Sequence, residues 1–118
     1  MKITRIYADA EGESHFEEIE VEGELSERGF YASPLSVGKM MLRETPGPST
    51  QDWHVAPKRV YVVLLTGAVE IEVSSGETRG FSAGDVLFAE DTFGKGHKTT
   101  TISEGMRKSL FITAREDA

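Results

Sequence analysis

Apolar and polar positions along this chain form short runs separated by turn residues, each run too short for a typical helix. Arg59–Thr66, RVYVVLLT, is rich in β-branched and aromatic residues and is closed by Gly67, which predicts a strand. Ala68–Val73 then alternates strictly, with Val69, Ile71 and Val73 on one face and Glu70 and Glu72 on the other, as a half-buried strand requires. Ser74-Ser75-Gly76 supplies a turn, and Glu77–Phe81 returns as the partner strand of a hairpin. A second turn at Ala83-Gly84-Asp85 leads into the apolar strand Val86–Ala89.

The flanks continue the rhythm. Lys2–Tyr7 predicts a first, edge-like strand in which Ile6 breaks the alternation, and His15–Val21 predicts a second. Ala8–Ser14 is acidic and reads as a solvated loop; Glu22–Ser36 is an arm with turn formers at Gly23, Gly29, Pro34 and Ser36. Lys39–Thr45 is a strand leading into Pro46-Gly47, with Lys39, Met41 and Arg43 on one face and Met40, Leu42 and Glu44 on the other. Either face brings a charged side chain near the interior, although Arg43 and Glu44 sit where they can reach water. Lys98–Ser103 is a threonine-rich strand, Glu104-Gly105-Met106 a turn and Lys108–Thr113 a last strand. Arg59–Thr66 is apolar on both faces, Val60, Val62 and Leu64 against Tyr61, Val63 and Leu65. The second face needs a cover, either the N-terminal strands or a second subunit.

A chain of 118 residues predicts a single domain: N-terminal strands and arm over 1–36, a barrel over 37–113 and a frayed tail over 114–118. The absence of cysteine excludes a disulfide framework and thiolate chemistry. A net charge of −7 argues against a nucleic-acid surface and against binding to anionic lipid. Met1–Asp9 lacks the apolar core of a signal peptide and no segment is apolar enough to span a membrane, so the cytoplasm is the expected location.

From Pro46 to Lys98 the chain resembles the barrel of the cupin family, and the expected fold is therefore all-β, a cupin-type double-sheet jelly-roll β-barrel. The family's first signature, G-x5-H-x-H-x(3,4)-E-x6-G, lies on Gly47 through Gly67 with one extra residue before His54. His54 takes the first histidine position, Ala56 the second, Val60 the glutamate and Gly67 the closing glycine. A register with Trp53 and Val55 as the histidine pair keeps the glycine spacing but loses the match. The second signature, G-x5-P-x-G-x2-H-x3-N, begins at Gly84 and runs well through Ala89. Glu90 then replaces the proline, the turn Asp91–Gly96 is two residues longer, His97 takes the histidine and Thr101 the asparagine.

The resemblance implies that His54 and His97 face one another across the barrel interior. Imidazole takes or gives a proton near neutral pH, so the pair suits isomerisation, dehydration or lyase chemistry, with His54 and His97 as catalytic residues. Trp53, Arg43, Asp91 and Lys95 are the expected substrate-binding residues, and Gly94 and Gly96 would let backbone N–H groups approach an anion. The preferred reading is a small-molecule-binding cupin without a tightly held metal, an isomerase or lyase acting on a small polar metabolite. The first alternative is a metal-dependent dioxygenase or isomerase holding Fe, Mn, Ni or Zn on His54 and His97, with Glu90, Asp91 or Glu44 as third ligand. The second is a non-catalytic binding or interaction module. A homodimer is expected, and neither nucleic acid nor membrane as partner.

Overall fold

The computed structural model describes residues 1–115, all of it strand, turn and loop. The strands are β1 (Lys2–Ala8), β2 (Ser14–Glu20), β3 (Gly23–Ser26), β4 (Gly29–Ala32), β5 (Val37–His54), β6 (Val60–Leu64), β7 (Ala68–Val73), β8 (Thr78–Ser82), β9 (Val86–Ala89) and β10 (His97–Ala114). None of the described residues forms a helix long and apolar enough to cross a membrane.

One eight-stranded sheet carries the molecule, in the order β2-β1-β9-β6-β10-β7-β8, with β5 pairing β10 from the other side. The organising strand is β10. Its first half, His97–Thr101, pairs with Val69–Val73 of β7, and its second half, Ser109–Thr113, pairs with Val60–Leu64 of β6. Between them the register against β5 shifts from Thr101 to Gly105, where an irregularity redirects the strand. The expected turn at Glu104–Met106 is thus part of one continuous strand.

The sheet curls so that its two halves share one core. Val69, Ile71, Val73 and Phe81 from β7 and β8 pack with Ile6, Val60, Val62, Leu64, Leu87 and Ala89 from β1, β6 and β9. The far edges of the sheet also meet: the Phe16 ring on β2 lies 6.1 Å from Phe81 on β8, and Ser14 N–H donates to Ser74 Oγ at 2.7 Å. The barrel closes on that side and stays open along β5.

Several expectations change. β1 is an interior strand, antiparallel to β2 and parallel to β9, and the broken alternation has a cause: Ile6 joins the inner core, while Ile3 joins an outer cluster with Phe88 and Ala114. β5 does not stop at Pro46-Gly47 but runs on to His54, and a Cβ on Gly47 would lie 2.1 Å from the Ser103 carbonyl oxygen, so only glycine permits this approach of β5 to β10. The arm over 22–36 contains a two-stranded hairpin, β3 with β4, on which Leu25 is 82% exposed. Ala114 is buried in β10 and is not frayed; residues 116–118 of the expected tail lie outside the described residues.

Candidate functional site

The curled sheet encloses an open cavity of about 520 Å³, within the range that suits a small metabolite. Its apolar wall is Ile6, Val60, Val62, Leu87, Ala89 and Phe111. Its polar wall comes from β5 and β10, where alternation turns Lys39, Met41, Arg43 and Gln51 of one strand and His97, Thr99, Arg107 and Thr113 of the other inward, and the register shift between Gln51 and His54 brings His54 to the same side.

His54 and His97 are cross-strand partners, and their rings lie 4.5 Å apart, tilted by 59°. Gly96 sets this approach: it holds φ at +73°, and a Cβ there would stand 2.1 Å from the His54 carbonyl oxygen. His54 Nδ1 lies 2.7 Å from the Asp52 carbonyl oxygen, which can only accept, so Nδ1 carries the proton and Nε2 is the free nitrogen. His97 Nδ1 lies 2.5 Å from Asp91 Oδ2. Asp91 is fully buried, its Oδ1 has no hydrogen-bond partner among the described residues, and its backbone carbonyl is fixed by the Ala56 N–H at 3.0 Å. An ionised carboxylate accepts from Nδ1–H, which leaves His97 Nε2 as a proton acceptor and stabilises the positive charge the ring gains on taking a proton.

Three of the four expected substrate contacts do not line this cavity. Trp53 neighbours His54 on β5 and therefore points to the opposite face; it is 43% exposed and borders a separate shallow depression with Glu72 and Lys95. Lys95 pairs with Glu13, and together with the Ser74 hydroxyl it holds that carboxyl below the usual range. Asp91 is shielded from the cavity behind His97. The loop through Gly94 and Gly96 is no anion cradle, because both glycines press on backbone, Gly94 on Gly12 and Gly96 on His54. Of the expected binding residues, Arg43 alone reaches the cavity wall, with its guanidinium 3.9 Å above the Phe111 ring.

A divalent ion wants at least three nitrogen or oxygen donors on one side. No three His, Cys, Asp or Glu side chains among the described residues are grouped to supply them. Glu44 alternates to the outer face of β5, Glu90 is held by Arg5 at 2.5 Å and Arg59 at 2.8 Å, and Asp91 is engaged by His97. The remaining pair of imidazoles shares its cavity with Lys39, Arg43, Lys58 and Arg107, a donor set and a charge that do not fit a divalent cation.

Arg107 and Lys58 escape a reading of the sequence alone. Arg107 is only 8% exposed, and its Nε donates to Thr101 Oγ1 at 3.1 Å. Burial, and then the nearby charge of Arg43, push its guanidinium below the ordinary arginine value. Its inward direction follows from alternation along β10, a strand that the residues around Gly105 disguise as a turn.

A curled, mostly antiparallel sheet with paired histidines on two adjoining strands is the arrangement of a cupin. The EutQ-like cupin domain model matches residues 33–109, and the chain belongs to that family. Two solved structures are similar in fold. One is a conserved protein of unknown function from Streptococcus pyogenes, at 17% identity and a TM-score of 0.53 over 74% of this chain and 71% of that one. The other is an RmlC-like cupin family protein with a double-stranded β-helix fold from Methanocaldococcus jannaschii, at 14% identity and 0.53 over 81% and 91%. No curated protein matches the sequence.

Proposed function

We propose that the barrel cavity binds a small polar metabolite and that His97 exchanges a proton with it, as an isomerase or lyase would, without a metal ion. The observation that carries this reading is the buried Asp91 carboxylate on His97 Nδ1, beside a second imidazole whose Nδ1 is also committed. Two free Nε2 atoms then border one cavity, so one ring can accept a proton while the other returns it. The apolar wall excludes water from part of the site, which strengthens each of these polar contacts. The test is a thermal-shift screen of small organic acids and sugars, followed by incubation of each stabilising compound in D2O and proton NMR. Wild type exchanges a C–H of at least one of them in the presence of EDTA, and His97→Gln slows that exchange by at least about a hundredfold. Equal exchange by His97→Gln, or none by wild type, sinks the acid–base reading and leaves a binding module.

We also propose that the chain forms a homodimer through the outer face of β5, β10 and β6. Two rows of apolar side chains cross these strands there, Met40-Ile112-Tyr61 and Leu42-Leu110-Val63, in register. Met40 is 60% and Leu42 75% exposed, and the far edge of β5 pairs with no other strand among the described residues. A face of this kind, repeated on an identical chain, is self-complementary about a two-fold axis.

A further inference from the structure

The charges in the cavity are one-sided. Four of the chain's 13 basic side chains, Lys39, Arg43, Lys58 and Arg107, line it, and no acidic residue among those described does. The molecule as a whole carries −7, so this sorting runs against its own composition. Other arginines find carboxylates: Arg5 and Arg59 share Glu90, and Arg79 holds Glu77. Arg43 and Arg107 hold none among the described residues, and their mutual repulsion contributes to the lowered proton affinity of Arg107. The buried Asp91 carboxylate is engaged by His97.

Arg107 is the decisive group. More than nine-tenths of it is buried, its Nε is satisfied by Thr101, and its two terminal nitrogens have no protein acceptor among the described residues. A buried guanidinium left without a counter-charge is costly to keep, and its planar fork matches an oxyanion in two-point fashion. Arg43 lines the same space, with its guanidinium stacked on the Phe111 ring. Gln51 and Thr99, cross-strand neighbours on the same wall, add neutral hydrogen-bonding groups between these cations and the histidine pair.

We propose that the ligand of this cavity is a small anion, a molecule whose carboxylate or phosphate is clamped by Arg107 and Arg43 while its reacting carbon lies toward His97. This rests on the reading of the barrel cavity as the binding site, and it adds the chemical class of what binds there. The rim cations Lys39 and Lys58 then serve to draw the anion in, an effect that salt weakens.

The experiment is thermal-shift titration with succinate, inorganic phosphate and uncharged succinamide at constant ionic strength, on wild type, Arg107→Gln, Arg43→Gln, His97→Gln and the remote Lys2→Gln. Succinate or phosphate raises the Tm of wild type and of Lys2→Gln by roughly 2 °C or more at 10 mM, by mass action, and succinamide does not. Whichever of the two anions is effective identifies the oxyanion. Arg107→Gln melts no lower than wild type without ligand, because a buried unpaired charge is removed, and it loses the anion-dependent rise; Arg43→Gln loses most of it. No rise with either anion, an equal rise with succinamide, or a rise that survives in both arginine variants overturns the proposal. His97→Gln separates the two readings: if the anion still stabilises it while exchange is equal to that of wild type, acid–base chemistry at His97 fails and the anion site stands.

Discussion

Asp91 accepts from His97 Nδ1 deep under the cavity floor, and its second oxygen has no protein donor among the described residues. This contact selects one tautomer of the ring, because an ionised carboxylate can only accept. In Asp91→Asn the carboxamide can present its NH2 to the same nitrogen and invert the preference. Long-range nitrogen–proton NMR of the imidazoles therefore finds His97 protonated at Nδ1 in wild type and shifted toward Nε2 in Asp91→Asn, with proton exchange slowed by roughly a hundred- to ten-thousandfold. An unchanged tautomer would remove Asp91 from the mechanism. His54 is the control, since its Nδ1 is fixed by a backbone carbonyl that the substitution leaves in place.

Strand β5 departs from hydrophobic-in, polar-out alternation. Lys39 and Arg43 face the cavity while Met40 and Leu42 face out, with Leu42 opposite Leu110 on β10. A core strand would reverse this arrangement, and the departure is what the proposed anion site on one face and the proposed dimer contact on the other require. The loop that delivers His97 is equally specific. At Gly96 an added methyl meets the His54 carbonyl at a distance no relaxed structure tolerates, in a left-handed conformation that already costs an L-residue about 1–2 kcal/mol. Gly96→Ala is expected to lose at least that much stability in urea unfolding and to separate the two rings, seen as a change in the imidazole chemical shifts. Full stability in that variant would mean that β5 gives way freely at His54, against its long pairing with β10.

The molecule is a single sheet wrapped on itself, shut where β2 meets β8 and open along β5. Its radius of gyration, 14.5 Å, exceeds the roughly 13.5 Å of a compact chain of this length, in keeping with a projecting hairpin and an uncovered strand. A second copy on the outer face of β5 would cover Met40 and Leu42 and leave the cavity wall behind them intact. Light scattering on eluting protein is expected to give the mass of a dimer for wild type and to shift toward monomer in Leu42→Glu, with at least a tenfold weaker association. A monomeric wild type at high micromolar concentration would refute the dimer.

That the chain is all-β was readable from the spacing of apolar residues and glycines, in short runs closed by Gly67, Gly76 and Gly84; that the strands form a cupin barrel came from the resemblance to the family's two signatures. The histidine pair was readable as well, from its place in the two signatures. The direction of β5 was not, because its two faces are equally mixed and only pairing with β10 chooses between them. Arg107 stayed hidden for a related reason: Glu104-Gly105-Met106 has the local chemistry of a turn, and the ladder to β5 overrides it to keep the strand running. The Asp91–His97 contact also required the fold, because six residues of loop can place a carboxylate almost anywhere. Local patterns settle which segments are strands; long-range pairing settles which side chains meet, and in this chain the chemistry belongs to the second.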